Sequence, residues 1–186
     1  MKKYLFGFAL MICTLLSAEE SAAPRFVVVL PEKVGEETIL PVGNENIQHV
    51  VQAEIERSLI RKGLEVIDIA GLEPVIEGGL SWQTLTVKEG ALTLARSAKA
   101  DYLIYGQATA SQAGSGSAYG VTAVRAQADV SARLVRVSDG KILNVFQSEA
   151  LEGNQAFGIA AKDSLKSAGK KVAAEVSQAC AALSEE

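Results

Sequence analysis

The sequence is poor in the residues that form covalent cross-links and small active sites. Its 186 residues include two cysteines, one histidine and one tryptophan. Cys13 lies in an apolar amino-terminal run, so a chain that loses this run keeps only Cys180. A single cysteine excludes an internal disulfide and a four-cysteine metal site. We expect Cys180 to be a small, half-buried apolar residue, with a disulfide-linked dimer as the alternative.

Motifs of catalysis are absent as well. His49 has no G-x-S-x-G sequence and no cysteine near it, and its place on a predicted helix favours a solvent-exposed side chain. The acidic residues are scattered, and the sequence pairs none of Glu77, Glu89, Asp101 and Asp129. We therefore expect a protein that is not an enzyme and that has no cofactor and no metal. An active site assembled in space from distant carboxylates is the alternative that the sequence leaves open.

The chain begins with a segment typical of a secretory signal. Two lysines precede an apolar run over residues 4–16, and a small serine and alanine follow it. This run is too short to span a bilayer, so we expect residues 1–18 to be removed and the protein to be periplasmic. Cys13 follows Ile12 and comes too early for a lipoprotein signal, so we expect neither a lipid anchor nor stable membrane insertion.

Basic residues are too few and too scattered for a nucleic-acid partner. The chain has 18 lysines and arginines against 22 acidic residues, a formal net charge of −4. Without residues 1–18 the balance is 16 against 22, a net charge of −6. Such an acidic chain argues against nucleic acid and against anionic lipid surfaces. The remainder suits one domain, which we place at residues 24–184.

The apolar pattern of the first half predicts alternating strands and helices. Residues 25–30 are typical of a buried strand, and residues 31–46 of an irregular surface loop. A helix beginning near Asn44 or Asn46 and ending before Gly63 precedes a strand at 64–69 and a helix at 87–99. Residues 70–86 have no predicted structure. The buried stripe of the first helix is predicted at Ile47, Val51, Ile55 and Leu59.

The second half predicts an antiparallel three-strand meander. Alternating side chains indicate strands at 101–110, 124–137 and 142–148, with an Asp-Gly turn at 138–141. The alternation changes phase at Leu134 and Val135, which predicts a β-bulge or a sharp bend there. A long helix from Asn154, its predicted N-cap, to Leu183 closes the chain. Its predicted buried stripe is Phe157, Ala161, Leu165, Ala168, Val172, Val176, Ala179 and Leu183.

These elements together predict an α/β fold. It consists of a mixed sheet of about five strands, including the meander, with the long carboxyl-terminal helix and the amino-terminal helix packed on one face.

The glycine-rich run A-S-Q-A-G-S-G-S-A-Y-G-V at residues 110–121 resembles a phosphate loop only in composition. A phosphate loop needs a lysine and a following helix, and here a strand follows. The dinucleotide-binding pattern also fails, because Gly120 comes one residue too late after Gly114 and Gly116. We therefore predict a flexible hairpin tip that holds no nucleotide.

Two segments are candidates for binding another protein, although both are also readable as plain connectors. One is the acidic loop and the other is the glycine-rich tip with its tyrosine. The candidate residues are Glu32, Lys33, Glu36, Glu37, Ser111, Gln112, Gly114, Ser115, Gly116, Ser117 and Tyr119. The alternative is a small-ligand or polysaccharide-binding module that uses the aromatic residues Trp82, Tyr102, Tyr105 and Tyr119.

Three stretches resemble a broad superfamily of bacterial envelope α/β domains. They are A-D-Y-L-I-Y-G-Q-A (100–108), A-R-L-V-R-V-S-D-G-K-I-L (132–143) and the alanine-rich helix at 160–176. The superfamily includes the amino-terminal domain of TolB, the middle domain of FlgT, the curli-secretion lipoprotein and the lipoprotein activators of penicillin-binding proteins. The resemblance implies a non-enzymatic periplasmic module that binds an envelope protein or self-associates, and it supplies no catalytic residues.

Overall fold

A single mixed sheet runs through the part of the chain that the computed structural model describes, residues 23–40, 49–69, 81–118 and 121–184. Within these ranges the chain forms seven strands and four helices. The strands are β1 (Arg25–Val29), β2 (Glu32–Val34), β3 (Glu37–Ile39), β4 (Glu65–Ile67), β5 (Tyr102–Ala118), β6 (Val121–Arg136) and β7 (Ile142–Asn154). The helices are α1 (Val50–Arg61), α2 (Trp82–Thr86), α3 (Lys88–Ser97) and α4 (Phe157–Leu183).

The long strand β5 organises the sheet. Along one edge it pairs in parallel with β1 and then with β2, while β6 pairs antiparallel along its other edge and β7 follows β6. β4 extends the sheet beyond β1, and β3 extends it beyond β2. The predicted mixed α/β sheet with its three-strand meander is therefore confirmed. The strands number seven and not about five, because the predicted irregular loop at 31–46 contains β2 and β3.

Each face of the sheet has its own hydrophobic core. α1 and α4 pack on one face through Val51, Ile55, Leu165 and Val172, as the sequence predicts. The opposite face is covered by α2 and α3 only near the beginning of β5, where Leu103 and its neighbours are buried. The rest of that face on β5, β6 and β7 has no helix of the described residues packed on it.

The change of phase in β6 results from these two cores. Leu134 belongs to the core under α1 and α4, whereas Val135 belongs to the core under α3. The pairing of β6 with β5 continues without interruption here. The irregularity lies in β7, since Leu134 pairs with Asn144 and Val135 with Ile142, which leaves Leu143 as the extra residue. The predicted irregularity at Leu134 and Val135 is therefore confirmed, but the extra residue lies in β7 and not in β6.

The first helix begins later than predicted. α1 starts at Val50 with His49 as its N-cap, while Asn44, Asn46 and Ile47 lie outside the described residues. The rest of its predicted stripe is buried. Gly63 ends the helix with a φ of 77°, as predicted, because its N–H donates to the Ile60 carbonyl and the next N–H reaches back to Leu59.

The last helix also begins later than predicted. Its N-cap is Ala156 and not Asn154, which ends β7 and accepts a hydrogen bond from the Gln155 N–H on its own side-chain oxygen. The predicted stripe is buried or half-buried along its full length. Among the described residues, no helix is long and apolar enough to cross a membrane.

The segment without a predicted structure contains α2, which precedes α3 directly. Gly90 lies in the first turn of α3, next to α2. A β-carbon at this position would lie 2.1 Å from the Thr84 carbonyl oxygen, so the glycine permits the close contact between α2 and α3.

Candidate functional site

The glycine-rich segment forms paired strands and not the predicted flexible tip. β5 continues to Ala118, and β6 begins at Val121. We call residues 111–118 of β5 and 121–125 of β6 the ribbon. A register shift between Gln112 and Gly114 leaves Ala113 unpaired, and Gly114 has a φ of 154°. Glycine tolerates this backbone conformation, which side chains disfavour, so the bulge explains one of the three glycines.

The ribbon extends beyond the part of the sheet that the helices cover. The last residue of β5 that pairs with β2 is Ala110, and the first residue of β6 that pairs with β7 is Val124. None of residues 111–117 belongs to either hydrophobic core. The predicted binding residues Ser111, Gln112, Ser115, Gly116 and Ser117 are exposed, and Gly114 is half-buried. Tyr119 lies outside the described residues.

The acidic candidate segment forms the hairpin of β2 and β3. Glu36 and Glu37 are exposed, and Lys33 is half-buried. Glu32 is fully buried, so its predicted place on an exposed loop is wrong. Its carboxylate accepts hydrogen bonds from the N–H groups of Val50 at 3.0 Å and Val51 at 2.7 Å, at the start of α1.

Glu32 supplies the acceptor that the N-cap residue His49 does not. The carboxylate also accepts the Gln52 N–H at 3.3 Å, and three N–H groups at a helix start attract an anion. Burial raises the pKa of Glu32 above its usual value, and the three N–H groups partly offset this effect. The residue therefore fastens β2 to α1 and is a structural element of the fold.

The structure brings the two candidate segments to the same end of the sheet. The Gly35 N–H, between β2 and β3, donates to the Ala110 carbonyl at 2.9 Å, directly before the ribbon begins. The exposed acids Glu36 and Glu37, in the turn and at the start of β3, thus lie at the same end of the sheet as Ser111. The sequence suggested two separate surfaces. In the structure the β2–β3 hairpin and the start of the ribbon form one surface, which includes Glu36, Glu37 and Ser111 and which we call the end surface.

The aromatic residues of the ligand-binding alternative do not form one platform. Tyr102 stacks on Phe26 with ring centroids 5.2 Å apart, on the face of α1 and α4. Tyr105 is buried on the opposite face, where its hydroxyl accepts a hydrogen bond from Arg133 at 3.3 Å. Trp82 lies in α2. Successive side chains of a strand point to opposite faces, so Tyr102 and Tyr105, three residues apart, cannot hold one ligand between them.

The single histidine and cysteine are placed differently from the predictions. His49 is half-buried and not exposed, its Nδ1 is buried without a hydrogen-bond partner, and burial lowers its pKa. Cys180 is fully buried, and burial raises the pKa of its thiol to about 12. A disulfide with a second chain does not fit a sulfur that lies inside the core.

The acidic residues that the sequence left open lie on separate elements. Glu89 is in α3, Asp101 precedes β5, and Asp129 is in β6. The Asp101 carboxylate accepts the Arg25 N–H at 2.8 Å, and Glu77 lies outside the described residues. Within the described ranges, no group of three histidine, cysteine or acidic side chains is arranged to hold a metal ion.

No family model matches the chain, and no curated protein matches it. Solved structures do match. A dodecameric PelC variant from Paraburkholderia phytofirmans is 14% identical, covers 83% of this chain and 89% of its own, and has a TM-score of 0.44. The lipoprotein GNA1162 from Neisseria meningitidis is 20% identical, covers 84% and 97%, and has a TM-score of 0.44. The LpoB carboxyl-terminal domain from Salmonella enterica is 16% identical, covers 71% and 85%, and has a TM-score of 0.33.

These neighbours include lipoproteins of bacteria, and at such scores the likeness assigns no function to this chain. The finer resemblance to the domains of TolB and FlgT stays a prediction.

Proposed function

We propose that the chain is a non-enzymatic protein-binding or assembly module of the bacterial cell envelope, working in the periplasm. The observation that carries the proposal is the ribbon, a pair of strands rich in small residues, of which only Val124 and Arg125 pair with a further strand of the described chain. The signal-like amino terminus and the resemblance to envelope domains support the location.

An uncovered two-stranded ribbon is poorly stabilised by itself. Isolated hairpins are marginal in water, because they bury little apolar surface. From Gln112 onward the outer edge of β5 has no neighbouring strand among the described residues, so backbone N–H and C=O groups face outward. An extended segment of another protein that adds to this edge would satisfy those groups. The small side chains of Ser115 and Gly116 allow such a segment to approach closely.

The end surface gives this contact a chemical preference. Glu36 and Glu37 are exposed next to the beginning of the ribbon, and no ion pair of the described residues neutralises them. A partner segment with lysine or arginine beside its extended stretch would gain electrostatic complementarity, which mainly raises the association rate. We therefore propose an extended, basic segment of an envelope protein as the ligand.

A photo-crosslinking residue placed in the ribbon tests the proposal in intact cells. At Ser117 we expect discrete crosslinked products that contain another envelope protein. At Lys162, which is exposed on α4, we expect none. A second variant replaces residues 115–124 with Asn-Gly, a sequence suited to a two-residue hairpin after the pair Gly114 and Arg125.

The shortened variant should keep its melting temperature within a few degrees, because the removed side chains contribute little to the cores. In affinity purification it should also fail to retain the partner that the full-length ribbon crosslinks through Ser117. The proposal would be contradicted if Ser117 gave no crosslinked product, or if the shortened chain retained the partner as well as the full-length chain does.

A further inference from the structure

The outer edge of β7 is a long strand edge without a neighbour. Within the described residues, β7 pairs only with β6, over 13 residues from Ile142 to Asn154. The sequence predicted its first half. The second half, E-A-L-E-G-N, carries the same alternation but lacks the β-branched and aromatic residues that indicate a strand.

The odd-numbered residues of β7 direct their backbone groups outward. The Arg136 N–H donates across the turn to Lys141, so the even-numbered residues of β6 bond toward β7. They pair with even-numbered residues of β7, such as Val130 with Ser148, and this leaves the odd-numbered ones facing the free edge.

Two side chains of the same chain confirm this orientation. The Val145 N–H donates to the Asn144 side-chain oxygen at 2.8 Å, and Lys171 Nζ of α4 donates to the Glu149 carbonyl at 3.0 Å. Both contacts satisfy outward backbone groups. The outward N–H groups of Gln147, Glu149 and Leu151 have no such partner among the described residues.

The free edge is apolar at two places. Val145 is 51% exposed and Leu151 is 54% exposed, and both lie on the sheet face that no helix of the described ranges covers here. They are equally distant from Ser148. A long strand edge with exposed apolar residues and few charges is a template for pairing with another chain.

We infer that a second copy of this chain pairs with β7 antiparallel, edge to edge, around a two-fold axis at Ser148. This inference concerns a surface separate from the ribbon and goes beyond the proposed function. The register places Val145 opposite Leu151 of the partner subunit and Gln147 opposite Glu149 of the partner subunit. The first contact is apolar, and in the second the Gln147 amide donates to the Glu149 carboxylate. The two-fold axis makes each contact occur twice.

The hydroxyl of Ser148 provides an independent argument for this axis. Its Oγ is buried and has no hydrogen-bond partner. A buried hydroxyl without a partner is unfavourable. On the axis, Ser148 faces Ser148 of the partner subunit as a non-hydrogen-bonded pair with Cα atoms ~4.5 Å apart, so each hydroxyl gains the other as a partner.

The helices above the strands also fit this arrangement. α4 packs on β6 and β7 to a similar extent, so its axis lies between them. With strands ~4.8 Å apart, the two α4 axes would be ~10 Å apart, a usual distance for packed helices. Lys171 and Glu175 are both exposed on α4, one turn apart and close to the edge. Pairing frees Lys171 from the Glu149 carbonyl and lets it face Glu175 of the partner subunit.

Sedimentation of the purified chain over about a hundredfold range of concentration is the first test, since mass action shifts a dimer with concentration. We expect a monomer–dimer equilibrium. Glu149→Pro removes an outward N–H but no bond to β6, and Leu151→Lys introduces a charge at the edge. Each should weaken association at least tenfold. The matched control is Ile60→Lys on α1, where an apolar residue 61% exposed lies away from the edge.

A disulfide tests the register. In a Cys13→Ser background, Ser148→Cys should form an intermolecular disulfide under mild oxidation, because the paired Cα atoms lie within bonding range. Gln147→Cys should not, because residues 147 of the two subunits would be ~8 Å apart. A monomer at every concentration overturns the inference. So does a dimer that is indifferent to Glu149→Pro and Leu151→Lys, or one that crosslinks through residue 147 and not 148. The chain with the shortened ribbon should dimerise normally, which separates this test from that of the proposed function.

Discussion

Gly169 of α4 lies directly against Val51 of α1, where a β-carbon on the glycine would be 3.2 Å from the Val51 Cα. The two helices cross closely at this point because the glycine has no side chain. Gly169→Leu should force the helices apart and lower the free energy of unfolding by about 3 kcal/mol. Gly158→Leu in the same helix has open space around it and should change stability by less than about 0.5 kcal/mol. Urea denaturation measures both, and equal effects would contradict the close crossing.

Loss of the buried Glu32 carboxylate should destabilise the chain more than loss of an exposed neighbour. Glu32→Ala leaves three N–H groups at the start of α1 without acceptors and should cost roughly 2–4 kcal/mol of unfolding free energy. Glu37→Ala, on the adjacent exposed strand, should cost less than about 0.5 kcal/mol. A small effect of Glu32→Ala would show that water replaces the carboxylate.

The titration of Glu56 should lower the free energy of unfolding as pH rises. Burial raises its pKa above 4.5, the hydrogen bond from Gln52 at 2.8 Å partly lowers it, and the charge of Asp68 raises it. The folded chain therefore keeps a proton that the unfolded chain has released. This stabilisation is complete below pH 4.5 and is lost as pH rises through the folded pKa.

Glu56→Gln removes this titration and keeps an acceptor for Gln52. Its stability relative to the unmodified chain should therefore increase between about pH 4 and about pH 8, as followed by urea denaturation. A difference that stays constant or decreases over this range would contradict the raised pKa.

Lys99 occupies a position that suits glycine better. It follows α3 with a φ of 54°, and its N–H donates to the Arg96 carbonyl, as Gly63 does at the end of α1. Lys99→Gly should stabilise the chain by about 0.5 kcal/mol, since relief of the left-handed conformation exceeds the added chain entropy. Lys62→Gly, at a φ of −86°, should destabilise it by a similar amount, about 0.5 kcal/mol. Thermal unfolding under identical conditions compares the two variants.

The thiol of Cys180 should be unreactive until the chain unfolds. A pKa raised from 9.0 to about 12 lowers the thiolate fraction on the order of a thousandfold, and burial blocks access as well. A colorimetric thiol reagent should label Cys180 of the Cys13→Ser chain in denaturant and only very slowly without it. Rapid labelling of the folded chain would contradict the burial.

The parts of the fold that the sequence predicted depend on local periodicity. The buried stripes of α1 and α4 and the alternation of β6 repeat every few residues, and the Asp-Gly turn spans only residues 138–141. Each of these elements can therefore be predicted from one short segment of the sequence. Helix starts were less predictable. Ala156 carries no capping side chain, and the acceptor for α1 comes from Glu32, in a different element of the chain.

The ribbon and the end surface were difficult to predict from the sequence. Serine, glycine and alanine have no strand pattern, so the ribbon appeared as a loop, although its backbone pairs regularly. The proximity of Gly35 to Ala110 depends on β2 pairing with β5, which no local pattern indicates. The opposite surroundings of Leu134 and Val135 likewise arise only when α3 covers the second face of the sheet.

The position of β1 has a consequence for the order in which the molecule assembles. Phe26 pairs with Tyr102 of β5 and with Val66 of β4, so the first described strand completes its pairing only after more than half of the chain has been made. By contrast, β5, β6, β7 and α4 follow one another and contact one another in sequence, and contacts of that kind form fastest. The carboxyl-terminal half can therefore form first, and the amino-terminal strand β1 then pairs with its exposed edge. A chain that emerges amino-terminus first must keep its apolar residues 25–30 away from other chains throughout that delay, which is the interval in which we expect it to need a chaperone.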